Sequence, residues 1–359
     1  MSTAPLEGVG ALVTGGGSGI GLGIAARLAA DGATVTICGR TAARLDEAVA
    51  TASPAEGPGS LHATVADVTD EDAVVAAVRA AEERAGGPLG AVVANAGGST
   101  AIGPVTQLDV AAWTDTLALN LPGTMLALKH GAASLVRNGG GSFVAVSSTA
   151  GSLVHPWFGA YGPSKAGIDQ LCRQAADELG ASRVRVNSVC PGLIDTDLVG
   201  FITAGGPVLD SYRENTPIDR VGTPDDIAAI VRFLVGPEST WLTGQTIAVD
   251  GGQSLRRGPR SPRRSSRSSA KTACAAWWPH PSSRAPPAPA GPGTCGAPVR
   301  WPSPWGRRRW WPVPVHRRQR QRPRWWAATR PGCASRSPRT WTSTRRAPTR
   351  RASTCGPPG

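Results

Sequence analysis

Short apolar runs rich in valine alternate, over the first 250 residues, with longer stretches in which apolar positions recur every three or four residues. The runs cover residues 9–13, 34–37, 61–65, 91–94, 143–146, 184–189 and 246–249. Their length and valine content predict about seven strands. Between the first two, GIGLGIAARLAADG spaces Ile20, Ile24 and Leu28 one helical turn apart and supplies Gly32 as a stop, so strand, helix and strand follow in order. Repetition of this unit predicts an α/β chain of Rossmann type, a doubly wound parallel sheet in a single domain with helices on both faces.

The pattern ends near residue 250, and so does the charge balance. The first 250 residues hold 14 Lys and Arg against 25 Asp and Glu, a net of −11, while the remainder carries 24 cations and no acid. The whole-chain net charge of +13 therefore describes neither part. Beyond residue 259 there is no Asp, Glu, Ile, Phe, Tyr, Met or Asn, and nine of the 12 Trp gather among Arg, Pro and Ser. Such a composition cannot build an ordinary core, so residues 1–258 read as the domain and 259–359 as a disordered basic tail. GRRRWW at residues 306–311 could contact phosphates and stack on bases, but no recognised module accompanies it, and a nucleic-acid partner is not expected. The tail's residues have GC-rich codons, which also fits DNA translated out of frame. That reading fails if the transcript, reread in all frames, offers no better continuation.

In the domain, Cys38, Cys172 and Cys190 lack metal-ligand spacing, so buried thiols in a reducing compartment and no metal are expected. No basic start followed by an apolar stretch opens the chain, and no apolar run approaches spanning length. The expectation is a cytoplasmic protein without a membrane partner.

The first strand leads directly into TGGGSGIG at residues 14–21 and then into the helix. Glycines permit tight turns and close approach to a pyrophosphate, and the free N–H groups of the helix start favour its charge. The spacing of Gly15, Gly19 and Gly21 is not the usual G-x-G-x-x-G, yet its strand-to-helix setting points to a dinucleotide site. Further on, YGPSK places Tyr161 and Lys165 four apart, on one helical face. A nearby ammonium favours a phenolate, so Lys165 is expected to lower the Tyr161 pKa and make it a proton carrier. Pro163 is tolerated only in a first turn, which predicts that this helix begins near Tyr161.

TGGGSGIG, ANAG at residues 94–97, Asn120 in LALNLPG, Ser148 in SSTAG, YGPSK and PGLIDT at residues 191–196 occur in the order and spacing of one family. The chain from about residue 7 to 252 resembles the short-chain dehydrogenase/reductases, nearest in pattern to 3-oxoacyl carrier-protein reductases. TPIDRVGTPDDIA and the closing TGQTIAVDGG resemble its C-terminal segments. Ala94 departs from the common NNAG.

The resemblance implies an NAD(P)-dependent oxidoreductase that interconverts a ketone and a secondary alcohol. In it Tyr161 is the acid/base, Lys165 binds the nicotinamide ribose, Ser148 polarises the carbonyl and Asn120 holds a relay water. It further implies cofactor contacts from Gly15, Ser18, Gly19, Ile20, Gly21, Asp67, Val68, Asn95, Ala96, Gly97, Pro191, Gly192, Ile194 and Thr196, with Tyr161 and Lys165. Arg40 in ICGRTAARL stands where an acid would hold a ribose hydroxyl, which favours NADP over NAD. Ser18, where many NADP-dependent relatives carry a cation, points the other way.

The resemblance also implies that His155 and Trp157 wall the substrate pocket and that residues 198–212 form an apolar lid. A 3-oxoacyl thioester is the substrate the pattern favours, with a hydroxysteroid or other alcohol as the alternative. A homodimer or homotetramer is implied.

Overall fold

The computed structural model describes residues 4–54 and 57–256, all within one compact unit. A second unit, 285–359, lies outside the described residues, as does the whole of the tail reading for 259–359.

Seven parallel strands form one sheet in the order β3-β2-β1-β4-β5-β6-β7. They are β1 (Gly10–Thr14), β2 (Thr34–Gly39), β3 (Ser60–Val65), β4 (Ala91–Ala94), β5 (Gly141–Val146), β6 (Val184–Pro191) and β7 (Thr246–Val249). Among the described residues, eight α-helices accompany them: α1 (Gly19–Ala30), α2 (Ala42–Ala52), α3 (Glu71–Ala85), α4 (Val110–Arg137), α5 (Tyr161–Leu179), α6 (Gly200–Thr203), α7 (Pro207–Asn215) and α8 (Pro224–Val235). The doubly wound α/β fold is as the alternation predicts.

The continuous apolarity of the strands has a direct cause. Successive side chains point to opposite faces, and here both faces are covered. Ala11, Val13, Ala91, Val93 and Val144 pack with Ile24 and Leu28 of α1 and Ile227 and Val231 of α8. Leu12, Val92, Phe143 and Ala145 pack with Ala77 of α3, Leu128 and Leu135 of α4 and Ile168 of α5. A face exposed to water would instead alternate with polar residues.

Local signals set the helix starts. The Asp70 carboxylate accepts from the N–H groups of Asp72 and Ala73 at 3.0 and 3.3 Å, capping α3. Pro224 occupies the first turn of α8, and Asp226 reaches back to the Thr223 N–H at 2.7 Å. The order of strands reverses between β1 and β4, so a crevice forms beyond their carboxyl ends. Thr14 and Ala94 are register partners there, which brings the glycine loop and ANAG side by side.

Among the described residues, no helix is long and apolar enough to cross a membrane. No group of three or more His, Cys, Asp or Glu there could hold a metal ion.

Candidate active site

The glycine loop and ANAG are fastened to each other. The Thr14 hydroxyl oxygen accepts from the N–H groups of Asn95 and Ala96 at 3.0 and 3.1 Å. The Asn95 amide donates to the carbonyls of Thr14 and Gly15 at 3.1 and 3.0 Å. Gly21 sits against this clamp, where a Cβ would stand 2.3 Å from the Gly15 oxygen and 2.4 Å from Asn95 Nδ2. Gly15 and Gly19 adopt positive φ of 64° and 54°, the region that favours glycine. Ser18, the N-cap of α1, makes no side-chain cap bond, and Ile20 is half-buried against the core.

PGLIDT closes over this loop from β6. A Cβ on Gly19 would lie 3.2 Å from Thr196 Cγ2. The segment is held from below, because the Asp195 N–H donates to the Gly222 carbonyl at 2.8 Å and the Gly222 N–H to Leu193 at 3.0 Å. Ile194 is buried in this bridge, and the Gly192 N–H donates to Val249 of β7 at 3.1 Å. Pro191 ends β6, paired with Val249. The resemblance of TPIDRVGTPDDIA to a family segment thus has a structural counterpart, a brace for Ile194.

At the end of β2, Arg40 is exposed. Its charge adds to the lowering of the Asp67 pKa, which comes first from hydrogen bonds to the N–H and hydroxyl of Thr69. The Val68 side chain is buried in the core beside Gly123. Arg44 was not singled out from the sequence. A Cβ on Gly17 would lie 3.3 Å from its Cγ, so its stem lies along the glycine loop. Its spacing from Arg40 in GRTAAR was the available signal.

The catalytic candidates converge at the carboxyl ends of β4 and β5. As expected, α5 begins at Tyr161, which accommodates Pro163 in the first turn. Lys165 is buried, donates through Nζ to the Val146 carbonyl at 2.8 Å and lies 5.5 Å from the centre of the Tyr161 ring. Gly97 lies in front of it; a Cβ there would stand 3.2 Å from Lys165 Nζ and 2.9 Å from Asn120 Oδ1. Ser148 shares a hydrogen bond with Tyr161, while its oxygen accepts from the Ala150 N–H at 3.1 Å.

Asn120 is fully buried on α4, two residues before Pro122, which removes a donor from that helix's ladder. Its Oδ1 accepts from the Gly98 N–H, and its amide donates to the Gly98 carbonyl and the Ser164 hydroxyl, each at 2.9 Å. Ser164 in turn donates to the Tyr161 carbonyl at 2.7 Å. Asn120 therefore ties the turn after β4 to the first turn of α5. Ser164, inside YGPSK, is the link between them, and motif reading passed over it.

The Tyr161 hydroxyl is buried as well as close to Lys165. Burial pushes the hydroxyl above its ordinary value, and the hydrogen bond with Ser148 recovers only part of this. Burial also pulls Lys165 down to about 8, against the raising influence of Cys190 and Asp169. Tyr161 is thus neutral at pH 7, and Lys165 remains largely charged there.

His155 lies 5.2 Å from the Phe158 ring and 6.3 Å from the Tyr212 ring, and Phe158 meets Tyr161 edge-on at 6.1 Å. Burial lowers the His155 pKa, so this wall is a neutral one at pH 7. Trp157 stands next to it at φ 75° and 38% exposed. The expected lid is α6 and α7, whose Ile202, Leu209 and Tyr212 are buried. A cavity of about 150 Å³ borders α7 and shares Tyr212 and Ile194 with the site.

Comparison with known proteins agrees with this geometry. Residues 15–254 match the family model described as enoyl-(acyl carrier protein) reductase. Galactitol 2-dehydrogenase (L-tagatose-forming) of Cereibacter sphaeroides is 35% identical over 252 residues, 70% of this chain and 96% of that protein. Cis-4-hydroxycyclohexanecarboxylate dehydrogenase of Sinomonas cyclohexanicum is 40% identical over 243 residues, 67% of this chain and 95% of that protein. The solved structure of a short-chain type dehydrogenase/reductase from Mycobacterium ulcerans is 50% identical, with a TM-score of 0.69 over 71% of this chain and 92% of that one. Matches of this extent, on a seven-stranded parallel sheet with a glycine loop at its switch point, place the chain in the short-chain dehydrogenase/reductase family of NAD(P)-dependent oxidoreductases.

Proposed function

We propose that the chain interconverts a ketone and a secondary alcohol with NADP in preference to NAD, passing the proton through Tyr161. The observation that carries this reading is the convergence of Tyr161, Ser148, Lys165 and Asn120 beside the glycine loop. The loop fits a dinucleotide, because Gly15 and Gly19 keep it free of side chains at positive φ and the first N–H groups of α1 carry no side-chain cap. Gly15, Ser18, Gly19, Ile20 and Gly21 would hold the pyrophosphate, and Asn95, Ala96, Gly97, Pro191, Gly192, Ile194 and Thr196 would flank the nicotinamide half. Asp67 and the Val68 backbone would face the adenine. When bound, the nicotinamide supplies or accepts the hydride.

The chain's own residues handle the proton and the charge. A neutral Tyr161 hydroxyl is suited to donate to an oxygen that gains negative charge. Ser148 uses an oxygen lone pair on the Ala150 N–H, and its O–H, which meets Tyr161 here, would turn to polarise a carbonyl when substrate binds. Lys165 spends one proton on Val146 and keeps two for ribose hydroxyls. Asn120 has both amide protons committed, so a relay water would have the remaining lone pair of Oδ1 to bind. Arg40, with Arg44 along the loop, supports a 2′-phosphate.

A 3-oxoacyl thioester is the substrate class that the motif pattern favours. A second class is supported by the ring wall of His155, Phe158 and Tyr212, which suits a compact cyclic ketone, and by a relative named for a hydroxycyclohexanecarboxylate. A homo-oligomer is part of the same reading: β7 is an edge of the sheet, and Trp241 beside it is fully exposed.

The test is a substrate panel containing a 3-oxoacyl thioester and substituted cyclohexanones, run with NADPH and NADH and read by absorbance of the reduced nicotinamide. Turnover of one class with NADPH ahead of NADH is expected. No turnover of either class rejects the activity, and an NADH preference rejects the cofactor assignment.

A further inference from the structure

One buried acid has no part in the mechanism above. Asp169 lies one turn after Lys165 on α5, and the two side chains are 6% and 3% exposed by residue. Among the described residues, the hydrogen-bond donor that reaches its carboxylate is the Cys190 thiol, with Sγ 3.7 and 3.8 Å from the two oxygens. A thiol is a weak donor, and a carboxylate taken out of water needs more than one weak donor to offset its lost hydration. Among the described residues, no Lys, Arg or His forms an ion pair with it within 4.0 Å.

On its own helix two cations stand four residues away, Lys165 and Arg173; Arg173 is exposed, whereas Lys165 is buried with a neutral carbonyl as its protein acceptor. Two buried ions, each poorly served by neutral partners, sit four residues apart on one helical face. Other groups that face the ammonium are Tyr161 from α5, Cys190 from β6 and Asn120 from α4. Of these, neither Asn120 nor a neutral Tyr161 supplies negative charge, and burial holds the Cys190 thiol at about 12, protonated at neutral pH.

We infer that Asp169 is a positioning residue for the reaction, a buried counter-charge that keeps the Lys165 side chain in its ammonium form at the Val146 carbonyl. The inference rests on the role given to Lys165 under Proposed function. It also gives Cys190 a purpose: its thiol holds the carboxylate while the next residues, Pro191 and Gly192, border the site. Asp169 tunes the lysine from behind and touches neither substrate nor cofactor.

A thermal double-mutant cycle on the full chain tests the coupling without cofactor or substrate. Asp169→Asn is expected to lower Tm by about 4 °C when Lys165 is present, and to lower it little or raise it when Lys165→Met is present. Equal Tm changes in the two backgrounds would overturn the inference. If Asp169→Asn does not fold, Lys165→Met alone decides. Leaving the buried carboxylate without its counter-charge should lower its Tm by about 4 °C; an unchanged or raised Tm overturns the inference.

The kinetic arm follows the alkaline limb of NADPH-dependent ketone reduction. In Asp169→Asn that limb is expected to move to lower pH by about one unit, a tenfold change in proton affinity, and an unmoved limb speaks against the inference. Absence of any nicotinamide-dependent turnover would reject the proposed function, while the thermal cycle would still decide on Asp169.

Discussion

Replacing Tyr161 with Phe removes one oxygen and leaves the ring. That ring meets Phe158 edge-on at 6.1 Å and lies 5.5 Å from Lys165 Nζ, and neither contact needs the hydroxyl. The loss is confined to the hydrogen bond with Ser148 and to the transferable proton. A positioned general acid contributes roughly 10²- to 10⁴-fold to rate, about 3–5 kcal/mol at the transition state. The hydrogen bond itself is worth about 1 kcal/mol to stability, and relief from burying a hydroxyl offsets part of that. Turnover of Tyr161→Phe should therefore fall by roughly two to four orders of magnitude. NADPH affinity, measured by quenching of nucleotide fluorescence, should stay within about a factor of two, and Tm should move by no more than about 4 °C. Single-turnover reduction separates chemistry from release. Turnover within tenfold of wild type would refute the assignment of Tyr161 as proton donor, and an equal loss of NADPH affinity would mean the ring was damaged.

Four other outcomes follow from the geometry. Gly21→Ala drives a Cβ onto the Gly15 oxygen and Asn95 Nδ2, so calorimetry should show destabilisation of about 1–3 kcal/mol together with weaker NADPH binding. Arg40→Asp should weaken NADPH by roughly ten- to a hundredfold, as expected for loss of a charged hydrogen bond, and leave NADH nearly unchanged in the same titration. Lys165 is charged below about 8, and Tyr161 titrates above its ordinary value; reductive activity should thus hold below that pH and decline as pH rises through about 8. Gln253 is 1% exposed with both amide atoms unpaired among the described residues, so Gln253→Met should raise stability by about 1 kcal/mol in urea unfolding.

Strands and the order of the fold were legible because burial on both faces leaves an unbroken apolar run, as in Val92 and Val93 of β4. Boundaries were less so: β5 starts at Gly141 and β6 runs through Pro191, residues that local preference would leave out of a strand. In α4 the chain stays helical across Pro122 over 28 residues, because Leu126, Ala127, Leu128 and Leu135 are anchored in the core beyond it, and that packing outweighs the lost ladder bond. Tyr161 and Lys165 were legible as neighbours, since a four-residue spacing on a helix fixes adjacency. Contacts across the fold were invisible: Thr14 to Asn95, Arg44 to Gly17 and Asp169 to Cys190 join residues with no shared motif.

Tyr161 shows what spacing cannot carry. A lysine four residues away establishes that a cation is near, and nearness alone argues for a lowered pKa. Yet the placement that brings Lys165 under the tyrosine also buries both groups, and burial disfavours each charged form: phenolate and ammonium alike. The two effects come from one structural fact, the docking of the first turn of α5 against the ends of β4 and β5. A neutral tyrosine and a weakly held ammonium suit the reductive direction, in which the first proton moves outward to an oxygen. The opposite direction requires a phenolate, and the charges available to stabilise it are the Lys165 ammonium and the partial positive end of α5, which starts at Tyr161 itself. Under the proposed mechanism, whatever keeps Lys165 charged would set how far the site can run as an alcohol dehydrogenase, and the buried carboxylate of Asp169 lies where that control would be exerted.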